Sequence, residues 1–146
     1  MPPFPHRILL AVDGSPEADL ATHHVLDLHS YTKTEVHVLH VGLVSGWTNS
    51  RTLNSDQLNR LRAEAQIVLD EQVAKISAAG LEPTQTYVRL GRATDEILRL
   101  RDEIEADLIV LGSRGLNAFT RVLLGSDAEG VVRHAPCPVL VVRKDL

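Results

Sequence analysis

In Leu108-Ile109-Val110-Leu111-Gly112-Ser113-Arg114-Gly115 an unbroken apolar run, Leu108–Gly112, passes into a glycine turn. It shows no alternation between apolar and polar residues. A strand that reads this way is buried on both faces, which is the mark of a parallel sheet. Four further runs accompany it, most of them nearly continuous: Ile8–Val12, Val36–Val41, Thr86–Leu90 and Val139–Val142.

Helical repeats lie between these runs. Ser15-Pro16-Glu17 opens the first with a hydroxyl cap, a proline at the first helical position and an acid near the positive helix end. Ala18, Ala21, Val25 and Leu28 give that helix one apolar face. A second helix starts near Ser55-Asp56, carries Leu58, Leu61, Ala65, Leu69, Val73 and Ile76 at helical spacing, and is capped by Gly80. A third starts at Thr94-Asp95-Glu96. A fourth covers residues 128–134, before Pro136 and Pro138 force the chain out of helix.

This alternation of strand and helix predicts an α/β fold: a five-stranded parallel doubly wound sheet with helices on both faces. The strand order 3-2-1-4-5 is taken by analogy with folds of this kind. The one long irregular stretch runs from Gly42 to Asn54, and its Trp47 either contacts a ligand or folds over the loop itself.

At 146 residues the chain fits one domain spanning 1–146. Only 3% of residues are aromatic, so the core is aliphatic. A net charge of -4 with no Lys/Arg run argues against nucleic acid as a partner. The apolar run at Ile8–Val12 is too short for a signal-peptide core or a membrane span. The expected location is therefore the cytoplasm, with no membrane partner. The single cysteine, Cys137, lies between two prolines and reads as a buried structural thiol. Seven histidines give no pair at ligand spacing on one face: His23 and His24 are adjacent, and His37 and His40 point to opposite faces of a strand.

In open parallel sheets, ligands bind beyond the carboxyl ends of the strands, where the strand order reverses. For the order 3-2-1-4-5 that point falls between strands one and four. There stand Val12-Asp13-Gly14-Ser15 and Leu111-Gly112-Ser113-Arg114-Gly115. Neither a P-loop nor a dinucleotide glycine fingerprint is present. What is present is Gly112-x2-Gly115, then nine residues, then Gly125-Ser126 at the start of a helix. Glycines let backbone N–H groups approach a phosphate, and a helix N-terminus is an anion site.

With these residues the chain resembles the universal stress protein family along essentially its whole length. Ile8–Ser15 looks like the family's opening strand, and Asp107–Gly115 like its fourth strand and glycine turn. Gly125-Ser126 and Val132–Val142 look like its closing segment. The glycine spacing is similar to that of the family's ATP-binding branch. The resemblance implies an adenine nucleotide, ATP, as ligand. It implies Asp13 at the ribose or phosphates and Val41 at the adenine. Gly112 and Gly115 would line the turn, and Gly125 and Ser126 would hold the phosphates. It also implies a homodimer formed through Val139–Val142.

Three positions depart from the family pattern. Ala11 stands where the ATP-binding branch often has proline, and Asp127 and Ala128 follow Gly125-Ser126 where a small apolar residue and a hydroxyl are common. Asp127 would either repel phosphates or help hold Mg²⁺ or Mn²⁺ between them.

Each site residue also has a plainer reading. Asp13 fits a turn carboxylate before the helix at Ser15. Ser126-Asp127-Ala128-Glu129 fits a capping box. Arg114, within the glycine turn, and Arg92, opening the third helix, either contact phosphate or fit solvated surface. No catalytic base is evident, so a regulatory nucleotide-binding protein that acts through conformation or an unidentified protein partner is the expected function. The alternatives are a slow ATP-hydrolysing enzyme and a nucleotide-free dimeric interaction module.

Overall fold

A computed structural model describes residues 3–44, 53–113 and 124–144. In chain order its elements are β1 (Arg7–Ala11), α1 (Pro16–Thr32), β2 (Glu35–Leu43), α2 (Ser55–Ala78) and β3 (Gln85–Gly91). They continue with α3 (Ala93–Ile104), β4 (Leu108–Gly112), α4 (Ser126–His134) and β5 (Val139–Val142). The strands form one sheet in the order β3-β2-β1-β4-β5, and every neighbouring pair is parallel. Fold class and strand order are as expected.

The strand sequences lack polar alternation because both faces are covered. Ile8, Leu10, Val36, Val38, Leu108 and Val110 pack towards α1 and α2, while Leu9, Leu39, Val41, Ile109 and Leu111 pack with residues of α3 and α4. Ile8, Leu9 and Leu10 are each 0% exposed, and burying one such side chain contributes about 1.5–3 kcal/mol. Among the described residues no helix is long and apolar enough to cross a membrane.

Several boundaries differ from the sequence expectations. β1 ends at Ala11, and Val12 leaves the strand, although its N–H still donates to the Leu39 carbonyl at 2.9 Å. β2 runs on through Gly42 to Leu43. Gly42 fits there because a Cβ on it would meet Leu90 Cδ2 at 2.7 Å and Ala65 Cβ at 2.9 Å. The α2 cap is Asn54, whose side chain accepts from Gln57 N while the Gln57 side chain returns to the Asn54 N–H. The C-cap is Ala79, and Gly80 follows it at φ +104°.

The amino-terminal half of the sheet carries a polar chain across three strands. Arg7 Nε donates to Glu35 Oε2 at 2.6 Å, and Arg7 Nη1 donates to the Ile104 carbonyl at 2.6 Å. His37 Nε2 lies 3.2 Å from the same Glu35 oxygen, and its Nδ1 lies 2.8 Å from the Tyr87 hydroxyl. A carboxylate only accepts, so in the neutral ring Nε2 carries the hydrogen and the Tyr87 hydroxyl donates to Nδ1. Arg7, then His37, hold the Glu35 carboxyl below the ordinary carboxylate range. Asp107 accepts from the backbone N–H groups of His6 (2.8 Å) and Arg7 (2.7 Å).

Candidate functional site

The carboxyl ends of β1 and β4 lie side by side, since β1 pairs with β4 up to Leu10 against Val110. Beyond β1 the chain turns tightly. Asp13 Oδ1 accepts from Ser15 N at 2.9 Å, and Ser15 Oγ accepts from Ala18 N at 3.1 Å to cap α1. His40 Nδ1 lies 2.8 Å from the Val12 carbonyl and donates to it, tying this turn to β2.

At the end of β4, Gly112 sits directly under α1. A Cβ there would meet Glu17 Cβ at 2.7 Å, Glu17 C at 2.8 Å and Ala18 N at 2.9 Å. The position is therefore glycine for packing as well as for any ligand. Ser113 N donates to the Val142 carbonyl at 2.8 Å, and the Ser113 carbonyl accepts from Gly125 N at 2.6 Å. That last bond sets the N-terminus of α4 against the end of β4.

The four helices begin in two ways. α1 and α2 are capped by side chains, whereas α3 (N-cap Arg92) and α4 (N-cap Gly125) have no side-chain cap bond. The expected capping box at Ser126 does not form. Gly125 takes the cap position, Ser126 is the first helical residue, and the Glu129 carboxylate instead accepts from Arg133 Nη2 at 2.7 Å. In an α-helix the amide groups of the first turn have no acceptor within the helix. In α4 these belong to Ser126, Asp127 and Ala128, and the macrodipole adds partial positive charge there.

The structure brings together most of the expected site residues. Asp13, Gly112, Gly125 and Ser126 all stand at this edge. Asp127 is exposed beside α3, its Oδ1 and its carbonyl oxygen each 3.4 Å from Thr94 Oγ1. Ala128 is 2% exposed, its methyl packed in the same cluster as Val41 and Leu111, so only its backbone can serve a ligand. Ala11 is half-buried against that cluster. Arg92 lies 4.0 Å from the Asp95 carboxylate with its side chain 82% exposed. Arg114, Gly115 and Trp47 lie outside the described residues.

Three neighbours of the site escape sequence reading: Glu17, buried over Gly112; Thr94, against Asp127; and His40, on the Val12 carbonyl. Only His40 carried a local signal, as a polar residue inside an apolar strand. Among the described residues no group of three or more His, Cys, Asp or Glu could hold a metal ion. Cys137 is half-buried, and burial pushes its thiol up against the opposing pull of Arg101.

These features define an open, doubly wound α/β protein whose topological switch point lies beside two helix N-termini without side-chain caps. The Universal stress protein family profile matches residues 5–143, and the chain belongs to that family. A Staphylococcus aureus (strain USA300) relative that carries the universal stress protein name is 32% identical over 140 residues, covering 95% of this chain and 84% of the relative. The solved structure of the hypothetical protein MJ0577 superposes with a TM-score of 0.82 at 26% identity, over 96% of both chains. Two more distant universal stress proteins share the fold: one solved in complex with cAMP (TM-score 0.69, 22% identity) and one from Archaeoglobus fulgidus in complex with dAMP (TM-score 0.66, 23% identity).

Proposed function

We propose that this chain is a regulatory stress-response protein of the cytoplasm that binds an adenine nucleotide, ATP, at the switch-point edge. Nucleotide-dependent conformation then governs an unidentified protein partner. The observation that carries this reading is the uncapped N-terminus of α4, held to the end of β4 by the Gly125–Ser113 bond of 2.6 Å. Such an end is a ready anion site. The cAMP and dAMP complexes of family members support an adenine nucleotide as the ligand.

In this reading the amides of Ser126, Asp127 and Ala128, with the Ser126 hydroxyl, take the phosphates. Asp13 takes a ribose hydroxyl through the oxygen that Ser15 N leaves free. Val41 and Ala11 border the adenine, and Gly112, Arg114 and Gly115 line the turn. Mg²⁺ or Mn²⁺ would accompany the phosphates. Asp127 Oδ1 and Thr94 Oγ1, 3.4 Å apart, are hard oxygens of the kind Mg²⁺ takes alongside phosphate. The bound cation would screen the Asp127 carboxylate from the phosphates. The apolar edge strand β5, half-buried from Val139 to Val141, is the expected homodimer surface.

Denaturing freshly purified protein and separating the released small molecules by HPLC tests the reading, followed by ATP calorimetry on the stripped protein. Co-purified or micromolar-binding adenine nucleotide is expected. An empty protein with no heat of binding would sink it and turn attention to protein partners.

A further inference from the structure

A depression opens to solvent between the end of β2 and α2, on the opposite face of the sheet from α3 and α4. Its volume is about 170 Å³, and its lining includes His40, Gly42, Leu61, Glu64, Ala65 and Val68. It is open to solvent rather than enclosed: Leu43, which also lines it, is 59% exposed, and Glu64 is exposed. Gly42 lets α2 and Leu90 close against the floor of this depression: a Cβ there would meet Leu90 Cδ2 at 2.7 Å and Ala65 Cβ at 2.9 Å.

His40 is 8% exposed. Its Nδ1 is committed to the Val12 carbonyl at 2.8 Å, which fixes both ring orientation and tautomer. In the neutral ring Nε2 therefore keeps its lone pair; among the described residues that nitrogen has no protein partner, and it is not sealed from solvent. Glu64 also lines the depression and forms no ion pair with the described residues. Both polar side chains thus offer acceptors, and one of them is an anion. The remaining side-chain walls are aliphatic. Small-molecule sites are built in this way, with apolar walls and a few polar groups that fix orientation.

We propose that this depression binds a short aliphatic primary amine. The ammonium would be held by His40 Nε2 and the Glu64 carboxylate, and the alkyl chain would lie along Leu61, Ala65 and Val68. A neutral acceptor such as an ester or ketone finds no donor on these side chains, and an anion would meet Glu64. A bare ammonium ion would leave the apolar walls unused.

The test is a titration of the full chain with n-pentylammonium, followed by NMR of the Ala65 and Val68 methyl groups and the His40 imidazole nitrogens. Saturable shifts at both methyl positions and at His40 Nε2 are expected, with methylammonium and 1-pentanol much weaker. Glu64→Gln, an exposed change on α2, is expected to weaken n-pentylammonium about fivefold, as loss of a partly exposed charge pair does. Val68→Phe is expected to abolish binding by filling the space. No saturable shift with n-pentylammonium at tens of millimolar would overturn the proposal. So would 1-pentanol binding as well as the amine, or affinity unchanged in Glu64→Gln.

Discussion

Replacing Gly112 with alanine tests how α1 is seated on the sheet. The new Cβ would stand 2.7 Å from Glu17 Cβ, 2.8 Å from Glu17 C and 2.9 Å from Ala18 N. Carbon atoms rest about 3.5–4.0 Å apart, so the overlap is about 0.8 Å or more. Two of the three obstructing atoms are α1 backbone, and no rotamer change removes them. The first turn of α1 must back away from β4, and the Ser15 cap and the Asp13 turn must move with it. Overpacking of this kind costs about 1–3 kcal/mol. Replacing a strand glycine returns about 0.5–1 kcal/mol of chain entropy. The net loss centres on about 1 kcal/mol and reaches about 2.5 kcal/mol at most, with Tm falling about 3–4 °C per kcal/mol for a chain of this size. Circular-dichroism melting reads it directly. Because the clash involves Cβ and backbone, adding Glu17→Ala should restore none of the loss. A Gly112→Ala protein that melts at or above the parent temperature would refute the collision argument, and rescue by Glu17→Ala would refute its backbone origin.

Two other outcomes follow from the caps and the charge pairs. Ser15→Ala should lower stability to urea by about 1 kcal/mol, as loss of an N-cap does. Ser126→Ala should change it by no more than about 0.5 kcal/mol, the usual range for a surface change, because its side chain caps nothing. Glu35 has its carboxyl held down in the folded state by Arg7 and then His37. Its contribution is therefore present above the unfolded carboxyl value and is lost as pH falls through the folded one. Stability should decline between about pH 5 and 3 less steeply in Glu35→Gln than in the parent. The difference should be modest, since the Glu35 side chain is 41% exposed and solvent screens the pair.

The elements legible in the sequence are those fixed by local rules. β4 and β5 match their apolar runs to the residue, because Ser113 and Pro138 bound them. The Ser15-Pro16 start of α1 is likewise a local pattern. β2 overran its reading because Gly42 looks like a strand end by composition, yet the neighbours Leu90 and Ala65 make glycine the residue that fits. The Ser126 capping box failed although its sequence pattern was complete. Gly125, bonded to Ser113, occupies the cap, and Glu129 finds Arg133 one turn ahead instead. At this edge, the placement of Asp13, Gly112 and Gly125 was readable from the turn pattern. Glu17 and Thr94 were not, because each enters through packing between elements far apart in sequence.

The polar chain Arg7–Glu35–His37–Tyr87 lies wholly outside the ligand edge. A one-residue slip of β1, β2 or β3 would break it, so it acts as an indexing key for the three strands. The key is cut at one end of the sheet and the turns after β1 and β4 are carried at the other. Exposed residues of the carboxyl edge, such as Asp127, can therefore change while strand alignment stays locked. A lineage can retool what the edge recognises without re-solving how the sheet assembles.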